Sequence, residues 1–307
     1  MSSINTNVAA MTALKSLQAT NAALETTQNR ISTGLAVNDA SDNAAYWSIA
    51  TTMRSDNKAL GTVNDALGLG KAKVDVAYTG LNSAIDVVDE IKSKLVAARE
   101  PGVDRSKIQS EIGELQNQLT SIATSASFSG ENWLSQNSGA TGYSATKEIV
   151  GSFTRAADGS VSVGTVNVDI SNTKLFDAAG GAAGILDTTF TTTGGGAVTV
   201  SVSNLDLTAA NIDDTDIDQM ISNVDTAIGD MTTAASDLGA TKGRIDMQSE
   251  FVGNLMNAIE RGVGTLVDAD MTKESTRLSA LQTQQQLGTQ ALSIANSSSQ
   301  SILSLFR

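Results

Sequence analysis

The chain has no cysteine and no histidine, and its 307 residues contain one proline, Pro101. The first two absences together exclude disulfides, thiolate nucleophiles, Cys/His zinc sites and imidazole acid–base catalysis. The near-absence of proline leaves almost every segment free to continue as helix, since proline alone removes a backbone donor and clashes with the preceding turn. Large side chains are scarce too. Aromatics are 4% of the chain, and much of the 40% apolar fraction is alanine, so narrow cores between slender elements are expected. Basic residues are outnumbered, 20 Lys+Arg against 33 Asp+Glu, for a formal charge of −13. Without a positive field to displace counterions, the chain is not a general nucleic-acid binder, and self-association should depend on salt. No apolar run approaches the roughly 18–20 residues that span a bilayer, so membrane insertion is not expected. The opening MSSINTNVAA lacks the basic and apolar regions of a secretory signal, which by itself predicts a cytoplasmic protein.

What is present is helical periodicity. Leu14, Leu17, Asn21, Leu24, Gln28, Ile31 and Leu35 alternate in steps of three and four, preceded by Ile4, Val8 and Met11. A second seam is longer: Ile49, Met53, Asp56, Leu60, Val63, Leu67, Gly70, Val74, Ala77, Leu81, Ala84, Val88, Ile91 and Leu95. A 3.5-residue repeat held that long predicts a left-handed superhelical seam, in a helix rising about 69 Å. Gly61, Gly68, Gly70 and Gly80 interrupt it, each costing about 1 kcal/mol against alanine in an exposed helix, and suggest close neighbours or bending. Pro101-Gly102 breaks the chain. A third helix carrying Ile108, Ile112, Leu115, Leu119 and Ile122 should then return antiparallel to the second.

From about Phe128 the texture changes. GSVSVGTVNVDIS and TFTTTGGGAVTVSVSNLDL alternate valine with small polar residues between glycine clusters, a strand pattern. Helical order resumes at NIDDTDIDQM, with Asp213–Asp218 placed to cap a helix start. The seam runs Ile221, Val224, Ile228, Met231, Ala235, Leu238, Lys242, Ile245, Ser249, Val252, Met256, Ile259, Val263 and Leu266. A last helix carries Leu278, Leu281, Gln285, Gly288, Leu292, Ala295, Ser299, Ile302, Leu305 and Phe306. The layout is nearly palindromic. It predicts a mainly α fold: a long antiparallel helical bundle or coiled-coil hairpin with a small β-rich insert at its tip.

Candidate chemistry is sparse. Asp206, Asp213, Asp214, Asp216, Asp218, Asp225 and Asp230 follow one another with no Lys or Arg between them, but D-D-T-D-I-D lacks the Gly-turn-Glu pattern of an EF-hand loop. A solvated face with a helix cap is the plain reading, a weak divalent-cation site the other. Gly194–Gly196 is not followed by Lys-Ser/Thr and is no phosphate loop. With no activator for a serine or threonine nucleophile, no enzyme, metal or cofactor is expected. The terminal seams carry Asn, Gln, Gly or Ser where a stable coiled coil has Leu or Ile, so an isolated pair is marginal. Two readings remain open from periodicity alone. Either both termini dock on their own chain in an ordinary bundle, or they order only when many copies pack together.

Arg30-Ile31-Ser32-Thr33-Gly34-Leu35, followed by Asn38, Ala40, Asp42, Ala44 and Ala45, resembles the N-terminal signature of bacterial flagellins. Phe128-Ser129-Gly130 with Leu134 is similar to that family's Phe-x-Gly turn. Asp268-Ala269-Asp270, Gln284–Gln286, Ala291, Ala295-Asn296 and Ile302–Phe306 are similar to its C-terminal helix. The resemblance covers about residues 1–135 and 215–307. It implies a subunit that leaves the cell unfolded through the flagellar type III export apparatus and self-assembles outside into the flagellar filament for swimming. That reverses the cytoplasmic expectation.

The resemblance also implies an organisation. Residues 1–32 with 272–307 would form the innermost layer, through an assembly seam of Leu14, Leu17, Leu24, Ile31, Leu278, Leu281, Leu292, Ile302, Leu305 and Phe306. Residues 33–45 and 267–271 would be spokes, with Arg30, Gly34, Asn38, Asp39, Asp42, Asn43, Asp268 and Asp270 fixing an irregular path. Here Arg30 is expected to reach Asp39 or Asp42. Residues 46–135 with 214–266 would form a helical core domain, and 136–213 a variable β-rich outer domain. Implied partners are further copies of the chain, other flagellins, hook-associated junction and cap proteins, and the export apparatus. Glu90, Ile91, Lys92, Lys94 and Leu95 fall where enterobacterial-type flagellins meet an innate immune receptor, with Glu90 in place of an arginine, and weak recognition is expected. A hook–filament junction protein and a secreted coiled-coil adhesin are the rival readings.

Overall fold

A computed structural model describes residues 6–179 and 183–305, with 299–305 as backbone only. Five helices dominate: α1 (Val8–Thr33), α2 (Ala40–Ala98), α3 (Arg105–Ser125), α4 (Asp214–Val267) and α5 (Met271–Leu305). The chain divides into two compact units, one of residues 1–58 with 256–307 and one of residues 59–255.

In the larger unit the predicted α2 seam is the core. Leu67, Val74, Leu81, Ala84, Val88, Ile91 and Leu95 are fully buried. Each buried valine, leucine or isoleucine contributes about 1.5–3 kcal/mol relative to exposure. Ion pairs along its flanks and just past its end mark the direction of α4. Lys71 meets Asp246, Asp75 meets Lys242, Lys92 meets Asp225 and Arg99 meets Asp218, so α4 numbers fall as α2 numbers rise. The two helices are antiparallel in one register. On α4 the buried stripe is broader than a single seam: Ile217, Met220, Ala227 and Ala234 are buried beside Val224, Met231, Leu238 and Ile245. Helix α3 buries Ile108, Ile112, Leu119 and Ala123 in the same unit. Asp104 caps α3 by accepting from the Ser106 N–H at 3.1 Å.

The segment between α3 and α4 is less of a sheet than its alternation predicts. Strands β1 (Ser127–Phe128) and β2 (Glu131–Asn132) form a tight hairpin whose turn residues, Ser129 and Gly130, both have positive φ. Strands β3 (Ser135–Gln136) and β6 (Phe176–Asp177) pair in parallel, and β7 (Phe190–Thr191) pairs antiparallel with β8 (Thr199–Val200). The substantial ladder is the hairpin of β4 (Thr146–Arg155) and β5 (Val161–Asp169).

These pieces lie along the flanks of the helices. Ile149 of β4 packs on Gly70 of α2, and Leu134 on Gly80. Gln248 of α4 donates to the carbonyl of Gly151, which a β-bulge leaves out of the ladder, and Arg244 donates to Asn167. Gln109 and Gln116 of α3 reach the Leu205 carbonyl. The reason is composition. Two-stranded ribbons with few large side chains cannot bury a core of their own, so they use the helices as their second layer. Inside the insert, burial alone would raise the Asp177 carboxyl. Hydrogen bonds from Ser138, the Lys174 ammonium at 3.0 Å and the Ala179 N–H outweigh that and hold it well below the carboxylate range.

Candidate assembly interface

In the smaller unit α1 and α5 run antiparallel as a pair. Asn7 caps α1 by accepting from the Ala10 N–H, and its amide donates to the Ala295 carbonyl at 3.0 Å. Gln285 donates to Asn21 at 2.8 Å, and Arg30 pairs with Glu274 at 3.4 Å. Leu17 lies against Gly288, where a Cβ would stand 3.2 Å from its Cδ1. Asn21, Gln285 and Gly288 of the polar seam are therefore used between the helices.

Burial is thin. Thr27 is the buried residue of α1, while Leu17, Leu24 and Ile31 are half-buried and Leu14 is exposed. On α5, Glu274 and Leu281 are buried, and Leu278 and Leu292 half-buried. Val8, Met11, Leu14, Leu287 and Ile294 are between 46% and 68% exposed. Ile302 and Leu305 lie on the last turns of the α5 backbone. Phe306, like Ile4, lies outside the described residues.

The two connectors meet. Helix α1 ends at Gly34, whose φ of 73° suits glycine and whose N–H donates to the Arg30 carbonyl. Leu35 bridges antiparallel to Asp268. Ala36 donates to the Val267 carbonyl at 2.7 Å and Ala269 to that of Gly34 at 2.9 Å. Leu35 and Val37 pack on a small core of Ala50, Val263 and Val267, with Met53, Ile259 and Leu266 around it. Ala50 takes the buried place expected for Ile49, which is 49% exposed.

Around this anchor the Asp and Asn side chains bond to local backbone. Asp42 accepts from the Asn38 N–H at 3.0 Å, and Asp39 accepts from the hydroxyl and N–H of Ser41, which hold its carboxyl below the usual range. Asn43 has extended backbone and accepts from the Ala45 and Tyr46 N–H groups, so it is the true cap of α2. Asp270 caps α5 through Thr272 and Lys273. The Asp268 N–H donates to the Gly264 carbonyl. One sequence expectation needs correction: Arg30 pairs with Glu274 and with neither Asp39 nor Asp42, whose carboxylates are engaged by nearby backbone.

Two further groups are placed by the larger unit. Ile91 and Leu95 belong to its core. Lys92 pairs with Asp225, and Lys94 with Glu111 at 2.8 Å and with Glu90 at 3.4 Å. Part of the acidic run is also paired with cations. Arg99 bonds Asp214 and Asp218, and Arg105 bonds Asp214 at 2.7 Å. Asp216 is fully buried, so the run is not simply a solvated face. Sequence reasoning missed these cations because they stand just past the end of α2 and at the start of α3, more than 100 residues away.

Comparison with known proteins gives the family. The family model for the bacterial flagellin N-terminal helical region matches residues 4–139, and that for the C-terminal helical region matches residues 221–306. Flagellin C of Rhizobium meliloti strain 1021 is 54% identical, flagellin A of Rhizobium meliloti 46% and the flagellin of Brucella melitensis 47%, each over the whole of both chains. A solved flagellin from Bacillus cereus aligns with 71% of this chain and 94% of its own at 16% identity, with a TM-score of 0.34, too low to bear on the fold. Two family models covering the terminal helical regions, and relatives near half identical from end to end, make this chain a member of the bacterial flagellin family.

Proposed function

We propose that this flagellin serves as an extracellular structural subunit of the flagellar filament, polymerising with its own copies for swimming motility, and that α1 and α5 form the innermost layer of that polymer. The observation that carries the second part is the thin burial of the terminal pair. It is held in one antiparallel register by polar contacts, yet leaves Val8, Met11, Leu14, Leu287 and Ile294 exposed. Apolar side chains in such number on one helix pair lose their contact with water when copies pack against them. Residues 33–45 and 267–271 act as spokes, and their backbone bridge supports a stiff connection. Other flagellins, hook-associated junction and cap proteins and the export apparatus are the further partners of this reading.

Amide exchange tests the assignment. In the monomer 8–32 and 272–298 should exchange quickly while 60–98 and 217–252 resist. In filaments the terminal helices should become strongly protected. Equal protection of the terminal helices in both states would make them ordinary bundle members. We also propose weak recognition by the mammalian flagellin receptor, since Glu90 replaces a cation, Lys92 and Lys94 are ion-paired, and Ile91 and Leu95 are buried. Full-strength signalling in a receptor reporter assay would refute that.

A further inference from the structure

The insert turn Thr193-Gly194-Gly195-Gly196 meets the start of α4 through a set of backbone amides. Asp213 and Asp216 first cap the helix reciprocally. Asp213 accepts from the Thr215 and Asp216 N–H groups at 2.9 and 3.0 Å, and Asp216 accepts from the Asp213 N–H at 3.1 Å. Each carboxylate still has acceptor capacity, and the glycine run fills it. Gly194 donates to Asp216 Oδ1 at 2.9 Å, Gly195 to Asp213 Oδ2 at 2.9 Å and Gly196 to Asp216 Oδ2 at 3.3 Å. Gln219, one turn further along α4, exchanges two hydrogen bonds with Thr193.

The fit is close. A Cβ on Gly194 would stand 2.5 Å from the Asp216 carboxyl carbon, and one on Gly196 would stand 3.0 Å from the Ala210 carbonyl oxygen. The fully buried Asp216 carboxyl lies below its ordinary range, held there first by the Thr192 hydroxyl and then by the Asp213, Gly196 and Gly194 amides. These residues fall between the family-model matches, which stop at 139 and resume at 221.

We propose that the glycine turn and the Asp213–Asp216 capping box form one conformational latch, so that the return arm of the insert and the first turn of α4 dock and release together. The physical reason is shared acceptors. The carboxylates that satisfy the helix N-terminus also hold the turn, so neither contact can open without weakening the other. Release should leave the buried α4 stripe from Val224 to Ile245 in place, since the hydrogen bonds of the turn end at Gln219.

Amide exchange on the full-length monomer tests this. In the wild type, Gly194, Gly196, Asp216 and Ile217 should open with one common free energy, smaller than that of residues 224–245. Asp216→Asn should lower their protection together, by about tenfold or more, and leave 224–245 unchanged. Gly195→Ala places its Cβ 3.1 Å from the Asn211 carbonyl oxygen and should weaken the same group less. Glycine amides that exchange like free peptide in the wild type would overturn the latch. So would a variant in which the turn loosens while the first turn of α4 keeps its protection. The wild-type measurement decides even if Asp216→Asn fails to fold.

Discussion

At the scale of single residues, the glycines of α2 separate into two kinds that composition cannot tell apart. Gly68 is exposed, with nothing within 4 Å of where its Cβ would stand. Gly70 is buried, and its Cβ would be 2.7 Å from Ile149 Cδ1 and in closer conflict with Cγ2 of the same stiff, branched side chain. Gly68→Ala should therefore stabilise the protein by up to about 1 kcal/mol, through helix propensity alone. Gly70→Ala should destabilise it by about 1–3 kcal/mol despite the same propensity gain. Thermal unfolding of the two variants checks the opposite signs. Combining Gly70→Ala with Ile149→Ala, which itself empties a buried site, should cost less than the sum of the two single losses, because the partner in the clash is gone.

Secondary-structure elements differ in what holds them. The α1–α5 pair depends on a narrow seam, so loss of 292–307 should leave the α2–α4 helices folded and abolish polymerisation. Ile302, Leu305 and Phe306 would contribute about 4–8 kcal/mol per subunit if buried between copies, at about 25 cal/mol per Å² before ordering costs. Filament yield, with circular dichroism of the truncated monomer, measures both halves of that expectation. The insert is held differently, by carboxylates. Asp177 has a folded pKa depressed from 3.8, so its contribution is fully present above 3.8 and is lost as pH falls through the lowered value. Protection of the Ser138 and Ala179 amides, which donate to it, should accordingly fall only at strongly acid pH. Loss of that protection already at pH 5–6 would contradict the assignment.

For the molecule as a whole, the insert and the helices should carry separable tasks. Deleting roughly 140–205 should leave a chain that still forms filaments, because the terminal pair and the connector bridge lie outside the deletion. The structure adds a cost. Ile149, Val202 and Leu205 are buried in the unit they share with α2, α3 and α4, so the deletion bares helix surface and should lower the melting temperature of that unit. Trp133 and Leu134 are buried too and must be kept, which sets the upstream limit of a tolerated cut. Electron microscopy of the deletion protein shows whether filaments form. Complete loss of polymer from a folded, exported chain would assign the insert an essential contact between copies.

What the amino-acid order determined alone is the helical frame. Three-four spacing from Leu60 to Leu95 became a continuous buried seam, Asp213 of the acidic run became a cap, and Pro101-Gly102 followed the end of a helix. Those features are local: spacing and capping depend on residues within a turn or two of one another. Partner choice is not local, and there only the tertiary structure decided. Arg30 found Glu274 across 244 positions, and the acidic run found Arg99, in the turn after α2, and Arg105, at the start of α3. Thr27, not Gln28, took the buried place on α1. The glycine triplet, meaningless as a phosphate loop, became a cradle for Asp213 and Asp216. Periodicity says which face of an element must be buried; which surface covers it depends on how the whole chain returns on itself, and no short window of sequence contains that.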